Sequence, residues 1–195
     1  MKRIIIIAAA LVLAMALVGC TQDSKSTEEQ NVAAAEAAKD MGEYDFGAKT
    51  ALGMDELTIE QMLHYAIQDE YLARQEYEMI MDEYGNQRPF SNIIKAEENH
   101  IIWLKELYDA YGYDTPEDNA MDYAVLPDSL SEAFDVGVQA EIDNIAMYEK
   151  FLEDDLPDDI KAVFMELRDA SKNHLASFEK GERGNGQGAG QGANN

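Results

Sequence analysis

From Leu63 onward the apolar residues fall at helical spacing, with Leu63, Ala66, Ala73, Tyr77, Ile80 and Tyr84 stepping along one face. Just upstream, Thr58-Ile59-Glu60-Gln61 has the form of a capping box, in which Thr58 and Gln61 satisfy each other's backbone N–H groups. Gly85 and the turn Asn86 to Pro89 close this first helix. A second begins near Ser91, runs through Ile94, Glu97, Ile101, Leu104 and Leu107 to about Tyr111, and stops at Gly112. Ser129-x-x-Glu132 predicts the start of a third helix lasting to about Leu152. Pro157, suited to a first turn, opens a fourth that is expected to end before Gly181. No segment alternates apolar and polar residues, so no strand is expected. The connections after the first and third helices are short, while Tyr113 to Pro127 is long and carries Pro116 and an apolar patch of Met121, Tyr123 and Val125. This predicts an all-α four-helix bundle with a long crossover between helices two and three.

The second half of the bundle echoes the first. Ala96-Glu97-Glu98-Asn99-His100-Ile101 returns as Ala170-Ser171-Lys172-Asn173-His174-Leu175, and Glu70 with Tyr77 returns as Glu141 with Tyr148. The offsets, 74 and 71 residues, differ by only three. An internal repeat reports architecture. Here the unit is a helix pair, the first helix giving a carboxylate and the second a histidine. Packed face to face, two such pairs collect carboxylates and imidazoles in the core.

Residues three apart on a helix lie about 60° apart around it, so Glu97 and His100 can reach one metal ion. Glu70 and Glu141 are placed to bridge to a second. Burying several carboxylates in an apolar core costs on the order of several kcal/mol each unless cations compensate them. The candidate ligands are therefore Glu70, Glu97, His100, Glu141 and His174, for one or two ions. Imidazole and carboxylate suit iron and manganese alike. Without metal, the three glutamates are expected to repel one another and raise at least one pKa. On that reasoning Glu97→Ala would leave the metal-free bundle at least as stable.

Other residues have plainer roles. His64 sits about 240° round the helix from Glu70 and reads as a surface histidine. Tyr77 and Tyr148 read as core aromatics whose hydroxyls need partners, and so as candidates, with Ser171, for the layer behind the ligands. The methionines read as core filler.

Glu70-x-x-Ala73-x-x-x-Tyr77, Glu97-x-x-His100 and Glu141 with Tyr148 resemble the ferritin-like di-metal proteins, particularly the rubrerythrin type. The segments Glu-Tyr-Leu-Ala-Arg, Ala-Glu-Glu-Asn-His and Ser-Lys-Asn-His-Leu-Ala-Ser-Phe look closer still to an uncharacterised bacterial and archaeal branch of ferritin-like proteins with a domain of unknown function. The resemblance covers residues 57 to 180 and implies a ferritin-like bundle whose first and third helices each give a Glu, and whose second and fourth each give a Glu-x-x-His. It departs at Ser171, where that pattern has a glutamate. Glu166 and Asp169 point about 80° and 140° away from His174, so neither is a clean substitute. Five ligands then stand where the pattern has six, and the second ion needs water or is absent.

The chain ends change the picture of where this bundle works. Lys2 and Arg3 precede an apolar run from Ile4 to Val18, and Leu17-Val18-Gly19-Cys20 resembles the lipobox of bacterial lipoproteins. The resemblance implies a signal peptide over 1–19, lipid attachment at Cys20, and an extracytoplasmic protein anchored to the cell membrane or envelope. An ordinary secretory signal with an incidental cysteine is the alternative. Cys20 is the single cysteine, which leaves no thiolate ligand or disulfide for the folded part. Residues 20–56 are polar and read as a flexible tether with at most a frayed helical turn or two, 57–180 as the folded domain, and 181–195, rich in Gly, Gln and Asn, as a disordered tail. With 15 Lys and Arg against 39 Asp and Glu, the formal net charge of −24 disfavours nucleic acid as a partner.

Two functions fit. One is an exported redox protein whose iron or manganese handles oxygen or peroxide. It has no cysteine pairs of a rubredoxin-like donor, so its electrons must come from an unknown partner. The other is a non-catalytic lipoprotein scaffold or binding module with a degenerate or structural metal site. Oligomeric state is left open by the sequence.

Overall fold

The computed structural model describes residues 46–186, and within them four long helices form where the periodicity places them. They are preceded by a short helix, α1 (Gly47–Gly53). The long helices are α2 (Ile59–Tyr84), α3 (Phe90–Tyr111), α4 (Leu130–Phe151) and α5 (Asp158–Gly186). There is no strand among the described residues, and no helix among them is long and apolar enough to cross a membrane. The capping box at Thr58 forms as its sequence predicts, with Gln61 completing it. Ser129 caps α4 by accepting from the Glu132 N–H, while the Glu132 side chain reaches one residue further back, to the Asp128 N–H. The crossover includes one 3-10 turn (Ala120–Asp122) against α2 and is tied down by an Arg74–Asp118 ion pair and by Val125 N–H donating to Glu76.

Helices α2 and α3 form one hairpin and α4 and α5 the other; α2 then meets α4 and α3 meets α5. Two aromatic layers bracket the middle of the bundle. At one end Tyr77, Phe90, Phe134 and Phe178 pack ring against ring with Ile80 and Ile93. At the other, Tyr148, Phe151 and Phe164 do the same. Between them lies a polar stretch of the core, which holds Glu70, Glu97, His100, Glu141, Asn144, Ser171 and His174.

Two boundaries differ from the sequence reading. α5 does not end before Gly181 but runs to Gly186, and residues 187–195 of the expected tail lie outside the described residues. Gly181 sits against Phe134 so closely that a Cβ would overlap its ring, and a Cβ on Gly137 would come 2.7 Å from Phe178 Cε1. These glycines are the holes into which the neighbouring helix's phenylalanine fits, not stop signals.

The second difference is α1, which falls inside the expected tether of residues 20–56. It lies in contact with both α2 and α4 and buries Ala48 and Ala51. Its start is held by Gln68 Oε1, 3.2 Å from Gly47 N, and by Asp69 Oδ1, 2.8 Å from Ala48 N. Its last turn is held by Lys150 Nζ, which donates to the Ala51 and Met54 carbonyls. Gly47 has φ +66°, and a Cβ there would meet Asp69 Oδ1 at 2.7 Å, so the approach requires glycine. Seven residues are too few to hold a helix in water; tertiary contacts make this one, and a periodicity search has nothing to find. The signal peptide over 1–19, Cys20 and the tether to residue 45 lie outside the described residues.

Candidate metal centre

The five expected ligands meet at one level, Glu70 from α2, Glu97 and His100 from α3, Glu141 from α4 and His174 from α5, all of them buried. They form two groups whose ligand atoms lie within 4.8 Å of one another: Glu70, Glu97 and His100, and Glu97, Glu141 and His174. Glu97 belongs to both. Its Oε2 lies 2.8 Å from His100 Nδ1, while its Oε1 lies 3.2 Å from His174 Nδ1. Glu70 Oε2 stands 3.1 Å from His100 Nδ1, and Glu141 Oε1 stands 3.5 Å from His174 Nδ1. Glu98 and Lys172, next door on their helices, are exposed, as the helical phase requires.

The tyrosines cross the repeat. Tyr77, seven residues after Glu70, donates not to it but to Glu141 Oε1 at 3.1 Å; Tyr148, seven after Glu141, donates to Glu70 Oε1 at 2.7 Å. Each hairpin thus orients the other's carboxylate, and burial with the nearby carboxylate holds both phenols far above their usual range.

Burial and charge pull the acids apart. Burial pushes Glu70 up to about 7 and also raises Glu141. Burial would raise Glu97 too, but the two imidazoles beside it win and hold it at about 2. Burial works to lower both histidines, yet the facing carboxylates overrule it, Glu70 and Glu97 at His100 and Glu141 and Glu97 at His174, and raise each to about 10. Without metal, the positive charge this acidic core needs is carried by two imidazole protons. At least one carboxyl rises, as expected: desolvation leads the rise of Glu70 and Glu141 and a neighbouring carboxylate adds to each, while Glu97 departs from the expectation because it is stabilised as the shared counter-ion. Glu97→Ala is therefore expected to destabilise the metal-free bundle.

Ser171 turns away from the ligands. Its hydroxyl donates to Asn144 Oδ1 or to the Leu167 carbonyl, each 3.1 Å away. Asn144 in turn donates to Asp69 Oδ2 at 2.7 Å, and Asp69 accepts from α1. Burial raises the Asp69 pKa well above the usual range. Glu166 and Asp169 are exposed and supply no substitute. His64 is partly buried, edge-on to Tyr65 and away from the site. Asn144 and Asp69 escaped the sequence reading. The first lies one turn after Glu141, a signal that could have found it; the second neighbours Glu70 but faces about 100° away, where only tertiary packing gives it a role.

Nitrogen and oxygen donors of this kind suit iron or manganese. One observation tests the fit directly. His174 Nδ1 is buried and stands at ion-pair distance from Glu97 and Glu141, yet makes no hydrogen bond to either. Such a buried polar atom costs on the order of 1–3 kcal/mol unless something else engages it, and a metal ion facing those carboxylates would. Glu70, Glu97, His100, Glu141 and His174 are thus a donor set able to hold one ion or two.

In backbone course, the chain resembles the crystal structure of a hypothetical protein from Methanococcus jannaschii DSM 2661, with a TM-score of 0.58, 24% identity, and coverage of 68% of this chain and 86% of that one. That likeness supports the fold. No curated protein gives a significant match. The rubrerythrin family matches residues 61–182, from the first turn of α2 through most of α5, and so takes in every candidate ligand. By its helical bundle, its doubled Glu/His core and that match, the chain belongs to the rubrerythrin family.

Proposed function

We propose that the bundle binds one or two ions of iron or manganese through Glu70, Glu97, His100, Glu141 and His174 and uses them in oxygen- or peroxide-linked redox chemistry, tethered outside a membrane through Cys20. The observation that carries the metal reading is the pair of buried groups joined at Glu97, together with the orphaned Nδ1 of His174. A bound ion would supply Lewis acidity and one-electron exchange. The chain's own part is to keep that chemistry dry between two aromatic layers, to fix Glu70 and Glu141 through the crossed tyrosines, and to release the imidazole protons as metal enters. Membership of the rubrerythrin family supports the redox step. Cys20, the single cysteine of this sequence, lies outside the described residues, so the bundle itself provides no thiolate electron centre.

Ser171 favours a second reading, a non-catalytic envelope scaffold with a structural or stored ion, because the position that would complete the second half's ligands is engaged elsewhere. Metal analysis of the purified protein, followed by oxygen uptake with ferrous iron, separates the two. Bound metal with oxidation supports the redox reading; bound metal without oxidation leaves the scaffold. Absence of binding by either metal sinks both metal-dependent readings. For the anchor, Cys20→Ser is expected to release the protein or leave its leader uncleaved, and normal cleavage with unchanged membrane retention would overturn it.

A further inference from the structure

Resting on the metal reading above, we infer that the His174 side of the centre is a binding position for a small exogenous carboxylate, which takes the place left by Ser171. Three observations lead there. The repeat sets Ser171 opposite Glu97, so the second hairpin lacks the carboxylate with which the first reaches both histidines. Ser171 cannot stand in, since its hydroxyl is committed to Asn144 or the Leu167 carbonyl, and Asn144 is itself committed to Asp69. Finally, His174 Nδ1 is buried, turned toward the centre and without a hydrogen bond to the Glu97 and Glu141 oxygens it faces, on the most exposed of the five residues, at 8% against 1% for Glu70.

Formal charge gives the chemical class. Ligating imidazoles are neutral, so two divalent ions exceed the carboxylates of Glu70, Glu97 and Glu141 by one positive charge. An uncompensated charge in a water-poor core is costly, and a monoanion removes it. Asp69 does not serve, for both its oxygens are engaged by α1 and Asn144. A carboxylate supplies the same charge and donor atoms as the side chain missing from the repeat. The first ion, beside Glu70, Glu97 and His100, needs no such help.

The test is calorimetric titration of Mn²⁺ into the full chain at neutral pH, with sodium acetate or with sodium chloride at equal ionic strength. Two ions are expected, with acetate tightening the second about tenfold and leaving the first unchanged. Acetate should raise the melting temperature only when manganese is present. In Ser171→Glu the second ion is expected to bind tightly without acetate and the acetate effect to vanish. Ser171→Ala, which adds no carboxylate, should retain it. Two ions with no acetate effect in the wild type, as when hydroxide fills the position, overturn the inference and leave the metal reading intact. A single ion under both salts does the same. Equal acetate effects in the wild type and a folded Ser171→Glu also overturn it. No ion at all removes the metal reading itself and the inference with it.

Discussion

The two hairpins of this bundle are built from one repeat and end with different chemistry. The α2–α3 hairpin brings Glu70, Glu97 and His100 to the centre; the α4–α5 hairpin brings Glu141 and His174. What the halves share is the frame: a glutamate one helix in, a histidine on the next, and a tyrosine seven residues on that reaches across to the other half's glutamate. Where they differ, the second half is not merely missing a ligand. Ser171 begins a hydrogen-bonded chain through Asn144 and Asp69 to the backbone of Ala48, outside the bundle proper. A position that in the first half serves the centre serves, in the second, to hold α1 in the groove between α2 and α4. Symmetry is kept where it orients carboxylates and broken where one hairpin also fastens an added element.

The sharpest way to break the comparison is to remove the matched pair, Glu97 and Ser171, one at a time. Glu97 is the counter-ion of both imidazoles, so Glu97→Ala leaves them facing only Glu70 and Glu141. Breaking a buried charge pair from one side costs about 3 kcal/mol, which urea unfolding of the metal-free protein will show. Ser171→Ala forfeits one hydroxyl bond, about 1 kcal/mol. Equal losses would mean that the halves are electrostatically alike and that Glu97 is no hub.

Next in size is the glycine pair that seats the two helices of the second hairpin. Gly181→Ala forces a methyl into the Phe134 ring and Gly137→Ala one into Phe178. Each should cost about 2 kcal/mol despite alanine's better helix propensity. A stabilised Gly181→Ala would show that α5 does not approach α4 as closely as described. The first hairpin has no helical glycine, so this mode of packing is peculiar to the second.

These particulars show what was legible in the sequence. Periodicity, Thr58, Ser129 and Gly112 located the helices because caps and apolar faces are local signals. The repeat located Glu70, Glu97, His100, Glu141 and His174 because helical phase converts spacing into direction. α1 was illegible because its stability comes from Gln68, Asp69 and Lys150, far along the chain. Gly181 misled because a glycine near a helix end has two uses, termination and close approach, and only the Phe134 ring decides between them. The sequence showed that the acids were close but not how they were paired, so repulsion was expected where Glu97 instead serves two imidazoles. The tyrosine crossing was hidden too, since spacing within a helix says nothing of which neighbour a hydroxyl meets.

That crossing makes a smaller prediction, for metal affinity. Tyr77→Phe frees Glu141 and Tyr148→Phe frees Glu70, without changing the volume of the core appreciably. Each is expected to weaken metal binding about tenfold. If the crossing is as described, Tyr77→Phe should weaken mainly the ion beside His174 and Tyr148→Phe the ion beside His100. Manganese titrations in which each tyrosine instead affects the ion of its own hairpin would undo the reciprocal picture.

The smallest expected effect is a change of slope with pH, and it weighs the halves against each other. His100 and His174 both rise to about 10 in the folded protein from an ordinary 6.5. A raised folded pKa gives stability that is full below about 6.5 and is lost as pH climbs through about 10. Glu70, raised to about 7, adds to that loss, because its folded form prefers the proton that the unfolded chain gives up near 4.5. Glu97 acts oppositely: held at about 2, its contribution is present above 4.5 and fails only in acid. The metal-free protein should therefore melt at progressively lower temperature from about pH 6 to pH 10. Metal binding needs the deprotonated site, so the gain from manganese should grow over the lower part of that range, where protons compete hardest. His100→Gln and His174→Gln should flatten the metal-free slope to a similar degree, since each imidazole faces two carboxylates, Glu70 and Glu97 at His100 and Glu97 and Glu141 at His174, and each rises to about 10. Melting curves in which His100→Gln flattens the slope and His174→Gln leaves it untouched would show that the second half does not hold its imidazole as the first does.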